Sequence, residues 1–162
     1  MLRTSIVSYS DIIFHSSYIK HLLITKYDIT ILADLRWKNL WHLRMEKPLD
    51  DVETFKTKNN FLISIGDRTN SHKNIQAQYM GLLKFSKKGF KILKTHYDLL
   101  DEKRKKSIDM TSMLQILVQK GVKIRVHFVQ GKWIEVDSVE DFIIYSNKLI
   151  NNDDWIHDWR NL

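Results

Sequence analysis

The residues best suited to chemistry stand near the C-terminus, in Trp133-Ile-Glu135-Val-Asp137. Side chains alternate along a strand, so Glu135 and Asp137 share one face and Ile134 and Val136 the other. Two carboxylates so placed repel each other, and a divalent cation relieves the repulsion. Mg²⁺ takes one or two carboxylates and completes its shell with water or substrate phosphate. The same pair also suits a solvated strand face, with Asp137 starting the next helix. Asp11 closes the run Ser5-Ile-Val-Ser-Tyr-Ser-Asp11, and open α/β sheets place ligands beyond the carboxyl ends of their strands. An ordinary turn aspartate reads the same way. Asp109 precedes a helical pattern, where it either caps the helix or faces a site. Trp37 and Trp41, four residues apart, frame a pocket or fill a core.

Other chemistries are excluded by what the 162 residues lack. Zero Cys removes disulfides, thiolate zinc, iron–sulfur centres and a cysteine nucleophile, and makes a reducing cytoplasm the default address. The seven His are scattered without HExxH spacing, so zinc is not expected, and no GxSxG nucleophile turn is present. The five glycines never lie closer than eight residues apart, so no stretch forms a phosphate cradle. Lys+Arg exceeds Asp+Glu by 26 − 19, or +7, which invites a nucleic-acid reading. The basic residues are spread along the chain, however, and no nucleic-acid-binding motif accompanies them. At 43% hydrophobic and 28% charged, the composition is that of a globular protein of one domain. No apolar run approaches the roughly 18 residues of a membrane span, and the first thirty residues lack the charged start, apolar block and small-residue cleavage site expected of a signal peptide.

The elements that must position these residues follow from periodicity. Strands are expected over 5–11, 28–34, 60–65 and 78–85, with Gly66-Asp67 as a turn. Helices are expected over 16–24, 37–44 (stopped by Pro48) and 90–100. Asp101-Glu-Lys-Arg-Lys-Lys106 reads as a solvated loop. Asp109 precedes a helix burying Met113, Leu114, Leu117 and Val118, with Gly121 as its C-terminal cap. Segments 123–129 and 132–136 flank Gln130-Gly131 as a hairpin. Ser138 caps a last helix, with Asp141 three positions on and an inner stripe of Val139, Phe142, Ile143, Ser146 and Leu149. Alternating strands and helices give an α/β class around a mixed sheet. Residues 1–150 form the domain and 151–162 a C-terminal tail carrying Trp155 and Trp159.

Six segments in order resemble a known family. They are Val7-Ser-Tyr-Ser-Asp-Ile-Ile-Phe14, Asp34-Leu-Arg-Trp-Lys-Asn-Leu-Trp-His-Leu-Arg44, Pro48-Leu-Asp-Asp-Val-Glu53, Gln78-Tyr-Met-Gly-Leu-Leu-Lys-Phe-Ser86, Asp109-Met-Thr-Ser-Met-Leu-Gln115 and Trp133-Ile-Glu-Val-Asp-Ser-Val-Glu-Asp141. The series resembles the sugar-phosphate nucleotidyltransferases, most closely their phosphocholine and phosphonate cytidylyltransferase-like branch. The resemblance implies a Rossmann-like nucleotide-diphospho-sugar transferase fold. It also implies Mg²⁺-dependent transfer from an NTP, CTP in this branch, to a phosphate or phosphonate acceptor with release of pyrophosphate. Asp11 and Asp137 match the family's metal positions, with Glu135 as an auxiliary ligand. Trp37, Trp41, Arg44 and Asp109 fall near the acceptor pocket. Two departures stand out. The glycine-rich nucleotide loop with its Arg and Lys is missing from these residues, and Asp67 and Ala77 replace an expected Lys and Gly. The chain therefore reads as the acceptor-and-metal half of an enzyme: a fragment of a longer chain, a split subunit joined by an N-terminal-half partner or a second copy, or a remnant that keeps the fold without turnover.

Overall fold

The central strand can be recognised by burial alone. All six residues of Ile29-Thr-Ile-Leu-Ala-Asp34 are buried, because Ile29, Ile31 and Ala33 feed one apolar layer while Leu32 feeds another on the opposite face. The computed structural model, which describes residues 4–151 and 154–160, builds around it a six-stranded mixed sheet. In chain order the strands are β1 (Ser5–Ser8), β2 (Ile12–Phe14), β3 (Ile29–Asp34), β4 (Glu53–Lys58), β5 (Phe61–Arg68), β6 (Gln78–Phe85), β7 (Arg125–Val129) and β8 (Trp133–Glu135). The large sheet runs β1-β6-β3-β7-β5-β4, and β2 pairs with β8 in a separate two-stranded sheet. Among the strand pairs of the described residues, β3–β7 is the parallel one.

The helices are α1 (Ser17–Ile24), α2 (Trp37–Arg44), α3 (Lys87–Asp98), α4 (Glu102–Ser107), α5 (Met110–Gln119) and α6 (Val139–Asn151). One face of the sheet is packed by α3 and α5 through Ile92, Leu93, Met113, Leu114 and Leu117. The other is packed by α1, α2, α6 and the small sheet around Leu22, Trp37, Trp41, Trp133 and Tyr145. Among the described residues, no helix is long and apolar enough to cross a membrane.

Four local expectations are corrected. Segments 123–129 and 132–136 do not form a hairpin, since β7 lies in the large sheet beside β3 and β8 pairs with β2. Left-handed backbone at Gly131 (φ 70°) and Lys132 (φ 52°) carries the chain between the two sheets. The buried Asp34 carboxylate pins that crossing by accepting from Gly131 N–H at 2.8 Å and Trp133 Nε1–H at 2.9 Å. Gly66-Asp67 is no turn but lies within β5, where a Cβ on Gly66 would meet Thr111 Cγ2 at 2.9 Å. The glycine there serves close approach of α5. The charge run 101–106 is not a loop. It folds into α4, capped by Asp101 accepting from Arg104 N–H.

The fourth correction concerns α6. Ser138 and Asp141 form a reciprocal capping box at 3.1 Å in each direction. Three residues of the stripe expected to face inward point out instead, Val139, Phe142 and Ile143 at 70%, 63% and 52% exposure, while Ser146 and Leu149 are half-buried. Asp141 and Tyr145 are the buried residues of the helix. Residues 154–160 pack onto the domain through Trp155, which stacks on Tyr145, and through the buried His157, which bonds the Trp133 carbonyl.

Candidate functional site

Antiparallel pairing of β2 with β8 sets Ile12 opposite Glu135, and the Asp11 carbonyl accepts from Val136 N–H at 2.8 Å. That register carries the turn after β1 alongside the end of β8. Asp11, Glu135 and Asp137 consequently each offer a carboxylate oxygen within 4.8 Å of the others. More than a hundred residues of sequence lie between the first and the other two. Burial is the largest influence on Glu135 and Asp137 the next. Together with Asp11 they push its carboxyl up to about 7, against the opposing pull of Arg44. Asp11 Oδ1 is shielded from solvent and has no hydrogen-bond partner. Three hard oxygen donors, one orphaned and one held near neutrality, fit a divalent cation such as Mg²⁺.

Arg44 reaches the same carboxylates from the last turn of α2. Its Nε and one terminal nitrogen donate to the two oxygens of Asp141 at 3.0 and 3.1 Å. The other terminal nitrogen donates to Glu135 Oε2 at 3.0 Å, and the fork also bonds Asp137. Its side chain is only 1% exposed and lies across the Trp41 ring, with Cζ 5.4 Å from the centroid. Burial works against its charge, but the bonds it donates to Asp141, Asp137 and Glu135 win and leave its pKa raised. The Asp141 carboxyl is also costly to bury, yet the Arg44 bond and the Asp137 and Ser138 contacts hold it below the usual range.

Beside these carboxylates lies a small polar pit of about 210 Å³, walled in part by Tyr9, Trp41, Glu53, Tyr79, Thr111 and Glu135. Burial, with the charges of Asp109, Asp51 and Asp67, raises the Glu53 carboxyl. A larger groove of about 410 Å³ between α3 and α5 is almost wholly apolar and includes Phe90, Tyr97 and Met110.

No family model matches the sequence. Over 149 residues the chain is 33% identical to CTP:phosphoglutamine cytidylyltransferase of Campylobacter jejuni, which covers 88% of this chain and 59% of that protein. The fold is similar to the inositol-1-phosphate CTP transferase from T. maritima, with TM-score 0.61 and 18% identity over 90% of this chain and 56% of that one. It is also similar to the nucleoside-diphosphate-sugar pyrophosphorylase from Vibrio cholerae RC9, with TM-score 0.56 and 12% identity over 91% and 57% of the two chains. The chain is thus similar in sequence to part of a cytidylyltransferase and shares its fold with nucleotidyltransferases. It spans somewhat over half the length of these relatives.

The other expected site residues are distributed unevenly in this fold. Trp37 is enclosed at 1% exposure, edge-on to Trp41 at 6.3 Å and beside His72. Trp41 is equally enclosed, but it borders the pit and donates Nε1–H to Asp51 at 3.2 Å. Arg44 is engaged with carboxylates rather than open to a substrate phosphate. Asp109 caps α5 by accepting from Ser112 N–H and Oγ–H, close enough to Glu53 to raise its pKa. Sequence reasoning missed Tyr9, Glu53, Thr111, Asp141 and Tyr145. Glu53 had one signal, the carboxylate ending Pro48-Leu-Asp-Asp-Val-Glu53. Tyr145 had none, because its hydroxyl meets the Glu135 carbonyl only in the folded chain.

Proposed function

We propose that this chain forms the acceptor- and metal-binding part of an enzyme that moves a nucleotidyl group from CTP to a small phosphate- or phosphonate-bearing acceptor, such as a sugar phosphate or phosphocholine. An acceptor oxygen forms a new bond to the α-phosphorus, the bond to the β-phosphate oxygen breaks, and pyrophosphate leaves. The choice of CTP follows the two relatives whose names carry it. The observation that supports the reading is the convergence of Asp11, Glu135 and Asp137 within 4.8 Å beside the pit. These three would hold Mg²⁺, which supplies neutralisation of phosphate charge when bound. Tyr9, Glu53 and Thr111 would orient the acceptor, while Trp41 and Tyr79 exclude water from one side. The phosphate cradle would come from a separate nucleotide-binding segment, meeting the edge strand β1 and the outward face of α6. A reducing cytoplasm suits a chain without cysteine.

Mn²⁺ binding followed by electron paramagnetic resonance tests the reading. Asp11→Asn and Asp137→Asn should each weaken binding by about tenfold or more, with the thermal midpoint nearly unchanged. Binding that survives both substitutions would overturn the metal assignment. The isolated chain should release no pyrophosphate from CTP and phosphocholine, since no glycine cradle is among its residues. One observation favours a second reading, a fold kept without turnover: Arg44 already bonds both Glu135 and Asp137. That reading predicts no Mn²⁺ binding even with CTP present.

A further inference from the structure

The guanidinium of Arg44 is arranged in two parts. One edge is bound to both oxygens of Asp141, whose side chain is 7% exposed and which also accepts from the backbone N–H groups of Asp137 and Ser138 at 3.1 Å. That edge is fixed. The remaining donors point to Glu135 and Asp137, two of the three carboxylates that converge with Asp11. A side chain serving only the helix would need the Asp141 edge alone. The other contacts place a full positive charge directly against the ligand oxygens.

We infer that Arg44 is the resident counter-cation of the metal site: it neutralises Glu135 and Asp137 while the site lacks a divalent ion, and so holds down the affinity for a bare ion. This rests on the metal reading above and extends it to the order of binding. Three carboxylates meet one guanidinium here and Asp11 lies beside two of them, so the cluster stays net negative and still attracts cations. A bare divalent ion, however, must share Glu135 and Asp137 with a charge it repels. An ion that arrives already bound to triphosphate oxygens needs fewer carboxylates and carries compensating negative charge. The arrangement therefore favours entry of the ion together with the nucleotide.

The sign of the effect separates this role from simple support. A neutral partner that orients a ligand makes it a better donor, and losing such a partner typically weakens metal binding by about 10–100-fold. A positive charge within a few ångströms acts in the opposite direction. Arg44 acts through Glu135 and Asp137, so it is a positioning residue, not a catalytic one.

The test is Mn²⁺ binding to the full chain at pH 8, read by electron paramagnetic resonance, for wild type, Arg44→Met, Arg44→Gln and Arg44→Lys. Near-ultraviolet dichroism of the tryptophans confirms that each variant is folded. Removing the charge in Arg44→Met or Arg44→Gln should tighten binding by about tenfold or more. Keeping it in Arg44→Lys should leave affinity within about threefold of wild type, although the fork is lost. The glutamine variant decides the matter should the methionine variant not fold. Equal or weaker binding in the uncharged variants would overturn the inference and leave the metal site standing. No binding by any of the four proteins would remove both.

Discussion

Replacing Arg44 by Met tests whether the polar cluster also holds the fold together. The Arg44 side chain is 1% exposed, against 7% for Asp141, 23% for Glu135 and 49% for Asp137. Removing one partner of a buried ion pair costs about 3–5 kcal/mol, because the other charge is stranded. Glu135 and Asp137 reach water and can rehydrate, so their share is small. Asp141 is the stranded group, and it keeps the N–H groups of Asp137 and Ser138. The lower end, about 3 kcal/mol, is therefore expected. At about 2–4 °C per kcal/mol for a chain of this size, the midpoint should fall by about 6–12 °C. Urea denaturation of wild type, Arg44→Met, Asp141→Asn and the double variant closes a cycle, with coupling of about 1.5–3 kcal/mol between the two positions. A loss below about 1 kcal/mol for Arg44→Met, or additive single losses, would refute the reasoning.

Three further outcomes are expected. Gly131→Ala puts a Cβ 2.2 Å from the Ile156 carbonyl oxygen at φ 70°, so it should cost about 2 kcal/mol or more and release residues 154–160 to limited proteolysis. Burial lowers the pKa of Lys84, whose ammonium donates to the Thr25 and Tyr27 carbonyls and the Thr25 hydroxyl. Between that lowered pKa and the free lysine value the unfolded chain binds the extra proton. Stability should therefore rise with pH across that window, and a pH series of urea midpoints should show the rise absent in Lys84→Met. The Tyr79 hydroxyl, whose pKa is raised by burial first and by Tyr9 second, should titrate in ultraviolet absorbance only as the protein unfolds.

The elements that could be read from sequence are those whose apolar pattern matches the surface they cover. Helix α2 and strand β6 appear with the expected ends, and α5 buries Met113, Leu114 and Leu117 as its spacing indicates. Strand β4 was missed because it is an edge strand, Glu-Thr-Phe-Lys-Thr-Lys, with only Thr54 and Phe55 buried. Helix α4 was missed because it has no apolar face. It is held by its Asp101 cap and by the Tyr97 hydroxyl on the Lys105 carbonyl. The candidate carboxylates Asp11 and Glu135 could be singled out from the end of an apolar run and from a strand position, whereas Asp137 lies beyond the end of β8, where strand alternation no longer applies. The Arg44 contacts could not, because its partners lie 91 to 97 residues away and belong to different elements.

Helix α6 shows why the polar site and the fold cannot be considered separately. Its sequence offers two faces with opposite claims on the core. One carries Val139, Phe142 and Ile143, and burying each side chain fully would contribute about 1.5–3 kcal/mol. The other carries Asp141 and Tyr145. Turning the helix to bury the first face would draw Asp141 away from Arg44 and the Tyr145 hydroxyl from the Glu135 carbonyl. A guanidinium at 1% exposure would then lie among carboxylates without its bidentate partner, at a cost comparable to two of the apolar side chains. Tyr145 would also lose its stack on Trp155 at 5.7 Å and its place beside Trp41 and Trp133 in the core. The ion pair and the aromatic anchor together outweigh the stripe, so the apolar residues face outward. Hydrophobic periodicity thus marks α6 as a helix, while the charge it must deliver to Arg44 decides which way the helix turns.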